Sequence, residues 1–171
     1  MVERHRHSPA ESSSSSPGRT ERALRAVEAT CRDRGVQFTP IRCSVLEALL
    51  RQGHLTGAYE LMNELERVLG RRLAPPTVYR ALDFLLEQGF ITKIESRNAY
   101  VPCAHPDHPH ACVFFICNNC GVSKEIENPG LEKMLSRDAA SLGFRLSRRI
   151  VELQGTCANC LDAPQATAPI M

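Results

Sequence analysis

The chain has 171 residues, 43% of them hydrophobic, a formal net charge of +2 and no tryptophan. That length allows one domain or two small ones, and with aromatics at 5% any core is built from aliphatic side chains. No apolar run approaches the roughly 20 residues of a membrane span, so no membrane partner is expected and a cytoplasmic protein is.

The charge is uneven: residues 1–102 hold 15 Lys and Arg against 12 Asp and Glu, and the remainder 6 against 7. This mild excess is compatible with a nucleic-acid-binding first half without establishing one. The N-terminal stretch "MVERHRHSPAESSSSSPGRT" is charged and rich in Ser and Pro. It reads as a disordered tail over 1–19, not as a signal peptide. Eight cysteines in such a chain point to metal ligands or reduced thiols more than to a disulfide scaffold.

Thr20 can cap a first helix whose Leu24, Val27 and Cys31 share one face and which ends at Gly35. Thr39 followed by Pro40 reads as the N-cap and first position of a second, carrying Val45, Leu46, Leu49 and Leu50. Leu61, Leu65 and Leu69 fall four apart in a third helix closed by Gly70. "PPTVYRALDFLLEQG" gives a fourth, with prolines in its first turn and Gly89 past its end. At about 100° per residue, Val78, Leu82, Leu85 and Leu86 share one face of it, and Tyr79, Arg80 and Asp83 lie on the other. The alternation in "FITKIESRNAYV" then predicts a hairpin turning at Ser96–Asn98. Helices followed by a hairpin are the order of a winged helix-turn-helix, predicted over 20–101.

After residue 102 the pattern becomes strand-like. "ACVFFIC" and "VSKEIE" read as strands, a helix follows near 129–141, and "FRLSRRIVELQGTC" holds a further strand. This predicts an α/β unit over 102–160 and a loose tail over 161–171. The predicted fold class is α+β.

Cys117-Asn-Asn-Cys120 and Cys157-Ala-Asn-Cys160 are two CxxC knuckles. Two residues between cysteines let both thiolates of a tight turn meet one ion, and two such turns complete a tetrahedral zinc site. Four thiolates close it, so it stabilises and does not catalyse. Gly121 and Gly155 flank the knuckles and suit turns that need a permissive backbone. A second set, Cys103, His105, His108, His110 and Cys112, sits at the predicted domain boundary, where a bound ion could fix how two halves meet. Cys112 alternates with Phe114 and Ile116, which favours a buried core thiol. Arg80 on the fourth helix suits guanine recognition, Tyr79 suits phosphate contact, and Lys93 and Arg97 in the hairpin could reach backbone phosphates. No Walker loop, nucleophile elbow, His-Glu-x-x-His or zinc-deaminase pattern is present, and no enzyme is expected.

In "FTPIR", in "PPTVYRALDFLLEQGFITKIES" and in the two CxxC pairs, the sequence resembles the ferric uptake regulator family, most closely its zinc-uptake branch. The resemblance spans roughly residues 20–160. It implies a homodimer with winged-helix domains hinged to an α/β dimerisation domain, binding operator DNA and repressing metal-uptake genes when metal-loaded. Cys117, Cys120, Cys157 and Cys160 would hold structural zinc, and Thr77, Tyr79, Arg80, Lys93 and Arg97 would face DNA. A regulatory zinc, the second per chain, would take Cys103, His110 and Glu125. Its fourth ligand would come from the wing, usually a His or Asp, where this chain has Thr92. A threonine hydroxyl is a poor zinc ligand, which opens that place to His108, His105, another residue or water. No small-molecule substrate other than the metal is implied. The alternatives are an iron or peroxide sensor of the same family, constitutive DNA binding with structural zinc alone, or a thiol redox sensor.

Overall fold

A computed structural model describes residues 17–103, 106, 112–146 and 149–162. The first part is helical: α1 (Pro17–Asp33), α2 (Pro40–Gln52), α3 (Ala58–Leu69) and α4 (Pro75–Glu87), with a short strand β1 (Thr56–Gly57) before α3. Helix α1 starts upstream of the expected cap, so Pro17, Gly18 and Arg19 are not tail. Thr20 lies within the helix and is only 6% exposed, a core-facing residue and not an N-cap. Thr39 does occupy the N-cap of α2, in extended conformation, but its hydroxyl caps nothing. Pro40 explains this: a residue before proline is driven into the extended region, and the proline itself has no amide to satisfy.

The helices close on one apolar core of Val27, Cys31, Val45, Leu46, Leu49, Leu61, Leu65, Val78, Leu82 and Leu85, joined by Phe90, Ile91 and Tyr100. Each of its fully buried aliphatic side chains contributes about 1.5–3 kcal/mol. Leu69, expected on this face, is 36% exposed at the end of α3. Leu86 is partly buried against the core.

The hairpin forms as β2 (Ile91–Ile94) and β3 (Ala99–Pro102) around a single 3₁₀ turn, Glu95–Arg97. Asn98 closes the turn at φ 45°, a left-handed conformation that asparagine tolerates better than most residues. Strand β1 adds to the hairpin in the order β1-β3-β2. Two residues are too few to show alternation, so it left no mark in the sequence.

The second part comprises β4 (Cys112–Cys117), β5 (Ser123–Glu127), α5 (Pro129–Ser141), β6 (Ile150–Gly155) and the short α6 (Ala158–Leu161). Asn128 caps α5 by accepting the Leu131 amide at 3.0 Å. Strand β4 lies between β5, antiparallel, and β6, parallel. Leu161, expected in the loose tail, ends α6, and residues 163–171 lie outside the described set.

The wing sheet is sandwiched. Strand side chains alternate between faces, and directly paired residues share one. Thr92 pairs with Val101, and Ile94 with Ala99, so these four occupy one face of the wing. Ile94 and Val101 on that face form a second apolar cluster with Cys112, Phe114 and Ile116 of β4. The other face, with Ile91 and Tyr100, joins the helical core. The two sheets therefore meet along a seam.

Candidate metal centres and nucleic-acid face

Cys117 ends β4, and a tight turn follows in which Gly121 (φ 72°) donates its amide to the Cys117 carbonyl at 3.0 Å. A side chain at that φ would be strained. Gly155 needs no such freedom: it is a regular β6 residue paired with Cys117, which corrects the expectation that both glycines serve knuckle turns. The parallel register of β4 and β6 brings Cys157, the N-cap of α6, alongside Cys117.

The sulfurs of Cys117, Cys120, Cys157 and Cys160 all lie within 4.8 Å of one another, and Cys120 Sγ is 3.7 Å from Cys157 Sγ. A zinc tetrahedron with bonds of about 2.3 Å has sulfur–sulfur edges of about 3.8 Å, so the set fits a single zinc ion. Amide hydrogen bonds from Cys120 and then Cys157 lower Cys117 to about 6. Hydrogen bonding to the Cys120 and Cys157 thiols pushes Cys160 up to about 12. One thiol thus ionises readily and another resists, and a bound dication supplies the charge that lets all four ionise.

A second group joins Cys103, Cys112 and Glu125, again with ligand atoms within 4.8 Å of one another. It lies at the seam. Cys103 continues β3, its amide bonded to the Phe90 carbonyl at 3.0 Å, and by alternation falls on the Val101 face. Glu125 pairs with Phe114, which puts it on the same face of the second sheet as Cys112, one diagonal away. Of the residues expected here, the structure brings together Cys103 and Glu125. Thr92 is buried on the seam face of β2. His105, His108 and His110 lie outside the described residues. Cys112 is 7% exposed, as the core-thiol reading required, yet it is also part of the donor group. Its alternation with Phe114 and Ile116 favoured the first role over the second, although Cys112 stood in the second candidate set.

On α4, Thr77, Tyr79, Arg80 and Asp83 are exposed, while Val78, Ala81, Leu82 and Leu85 are buried. Prolines at the helix start leave this end without competing caps, and Arg80 projects from its first turns. The wing cations are more committed. Lys93 pairs with Glu95 at 2.6 Å, and Arg97 donates to Asn118 Oδ1, inside the first knuckle, at 2.7 Å. Arg34 and Arg42 are also used internally, over the rings of Phe90 and Phe84.

Sequence reasoning missed Glu152 altogether. Its carboxylate accepts the amides of Glu95 at 2.8 Å and Ser96 at 3.2 Å, clasping the wing turn to β6. Desolvation works against its ionisation, but the Ser96 side chain and the two amides outweigh it and hold Glu152 below the ordinary glutamate value. Among the described residues, no helix is long and apolar enough to cross a membrane.

Comparison with known proteins follows the same lines. The ferric uptake regulator family matches residues 33–154. The chain is 42% identical over 151 residues to the zinc uptake regulation protein of Escherichia coli strain K12, covering 88% of each chain. It is 33% identical over 135 residues to the ferric uptake regulation protein of Campylobacter jejuni, covering 75% of this chain and 82% of that one. Among solved structures it resembles a zinc uptake regulator in complex with zinc and DNA, with a TM-score of 0.78 and 42% identity. That match covers 84% of this chain and 95% of the other.

Proposed function

The chain belongs to the ferric uptake regulator family, and we propose that it is a zinc-responsive transcriptional regulator. In this reading it binds operator DNA in the cytoplasm as a metal-loaded homodimer and represses zinc-uptake genes. One observation carries the proposal: a closed four-thiolate group inside the second sheet's end, and a separate mixed group spanning the seam between wing and second sheet. The first suits permanent structural zinc and the second suits reversible regulatory zinc, giving two ions per chain.

Cys117, Cys120, Cys157 and Cys160 hold the ends of β4 and α6 together. At the seam, Cys103 from the end of β3 and Glu125 from β5 act with His110 as regulatory ligands. A bound zinc ion supplies the positive charge that lets these anionic donors converge. Cys103 thereby ties the wing to the second sheet and orients α4, whose Thr77, Tyr79 and Arg80 meet the major groove. Lys93 and Arg97 leave their internal partners or reach phosphates at the rim. The change is a population shift, driven only by the difference in zinc affinity between closed and open arrangements. Phe115, Ile126 and Leu153, exposed on the outer face of the second sheet, supply the apolar surface for the homodimer.

The test is operator binding measured against free zinc for the wild type and Cys103→Ser. Wild-type affinity should rise by about 5–150-fold with zinc, the usual range of allosteric coupling, and the variant should lose that rise. Equal binding by both proteins at every zinc level would refute the sensor reading.

A further inference from the structure

We infer that Cys112 is a direct ligand of the seam site, so that among the described residues two thiolates and a carboxylate hold a bound ion there, with no donor from β2. This rests on the regulatory-site reading above and names its ligand set.

Three observations converge on Cys112. Register puts it one diagonal from Glu125 on a single face of the second sheet. The apolar cluster that joins Ile94 and Val101 to Cys112 and Phe114 brings that face against the wing face carrying Cys103. The ligand atoms of Cys103, Cys112 and Glu125 then lie within 4.8 Å of one another, close enough for one ion. A cysteine serving only as core filler has no reason to face a second thiol and a carboxylate.

Thr92 lies on the wing face of the same seam, but a neutral hydroxyl is not among the usual zinc donors, which are thiolate, imidazole and carboxylate. Cys112 supplies from β4 the anionic donor that β2 lacks. The change has two consequences. Among the described residues the ion grips the wing through Cys103 alone and takes its other donors from the second sheet. Two thiolates also make the site soft, favouring zinc and cadmium over iron(II) or manganese(II).

The experiment uses the full chain with its four-cysteine group filled with zinc, and cobalt(II) as the probe for the seam. The variants are Cys112→Ser, Cys112→Val, which keeps an apolar filler in the strand, and Cys103→Ser. Far-UV circular dichroism and retained zinc check that each is folded. In the wild type, thiolate-to-cobalt charge-transfer absorbance should report two sulfur ligands per cobalt. Both Cys112 variants should lose about half of it, and cobalt affinity should fall by at least the roughly 10–100-fold typical of outer-shell losses. Unchanged charge transfer and affinity in both Cys112 variants, with loss in Cys103→Ser, would overturn the role of Cys112 and leave the sensor reading intact. Failure of the wild type to bind cobalt beyond the four-cysteine group would overturn both.

Discussion

Removing the Glu152 carboxylate should loosen the wing from the second sheet without unfolding either. In the native chain this carboxylate receives two amide hydrogen bonds, from Glu95 at 2.8 Å and Ser96 at 3.2 Å. A hydrogen bond to a charged group is worth about 1.5–3 kcal/mol. Glu152 is partly exposed, and solvent screening brings the pair down to about 1–2 kcal/mol. That is a change of roughly 5–30-fold in the equilibrium between clasped and open wing. Amide hydrogen exchange at Glu95 and Ser96 reads it directly: protection should drop by that factor in Glu152→Ala and by less in Glu152→Gln, which keeps one acceptor oxygen. The folded pKa of Glu152 lies below its unfolded value, about 4.3. Its stabilisation is therefore complete above that pH and is lost only as pH falls through the lower folded value. Between about pH 6 and 8, protection corrected for intrinsic exchange should be flat. Unchanged protection in Glu152→Ala, or a titration within that neutral window, would refute the clasp.

Two further outcomes test the remaining parts. Cys120→Ser, or removal of zinc with a strong chelator, should melt the second part of the chain while the helical core keeps its circular dichroism, because apparent structural-zinc energies of about 10–16 kcal/mol far exceed what that small sheet can supply. Arg80→Ala should weaken operator binding by about 5–150-fold and flatten base preference at one position, as loss of a bidentate base contact worth about 1–3 kcal/mol requires. A purely electrostatic role would instead lower affinity on all sequences alike.

The helices were legible because their core faces repeat at helical spacing and their ends carry Pro and Gly. Thr20 misled because a threonine near a helix start resembles a cap, whereas the core claimed its side chain. The four-cysteine group could be read outright, since two CxxC pairs leave few other arrangements. The seam group could be read only in part. Cys103 and Cys112 stood out among the clustered cysteines and histidines at the domain boundary, Glu125 came only from the family resemblance, and the alternation of Cys112 with Phe114 and Ile116 favoured a core thiol. Whether such a thiol faces filler or a ligand depends on which sheet packs against it. Glu152 is a further case: its partners are backbone amides 57 and 56 residues away, and a backbone amide has no sequence signature.

Among the described residues the seam is held by apolar packing, by polar contacts (the Glu152 clasp and the Arg97–Asn118 hydrogen bond) and by the mixed donor group, and these differ in what can switch them. The apolar contact of Ile94 and Val101 with Phe114 and Ile116 responds weakly to any ion. The Glu152 clasp stays ionised throughout the neutral range, so it biases the wing towards closure without reporting on the cell. The four-cysteine group closes its coordination within the second part of the chain and spans no seam. Among the described residues only Cys103, Cys112 and Glu125 bring candidate metal donors from both sheets to one point, and in their metal-binding, deprotonated forms they would repel one another unless a cation lay between them. A metal-dependent change in the relation of α4 to the second sheet thus has one place among the described residues where it can begin. The first two contacts set how little zinc energy is needed to complete it.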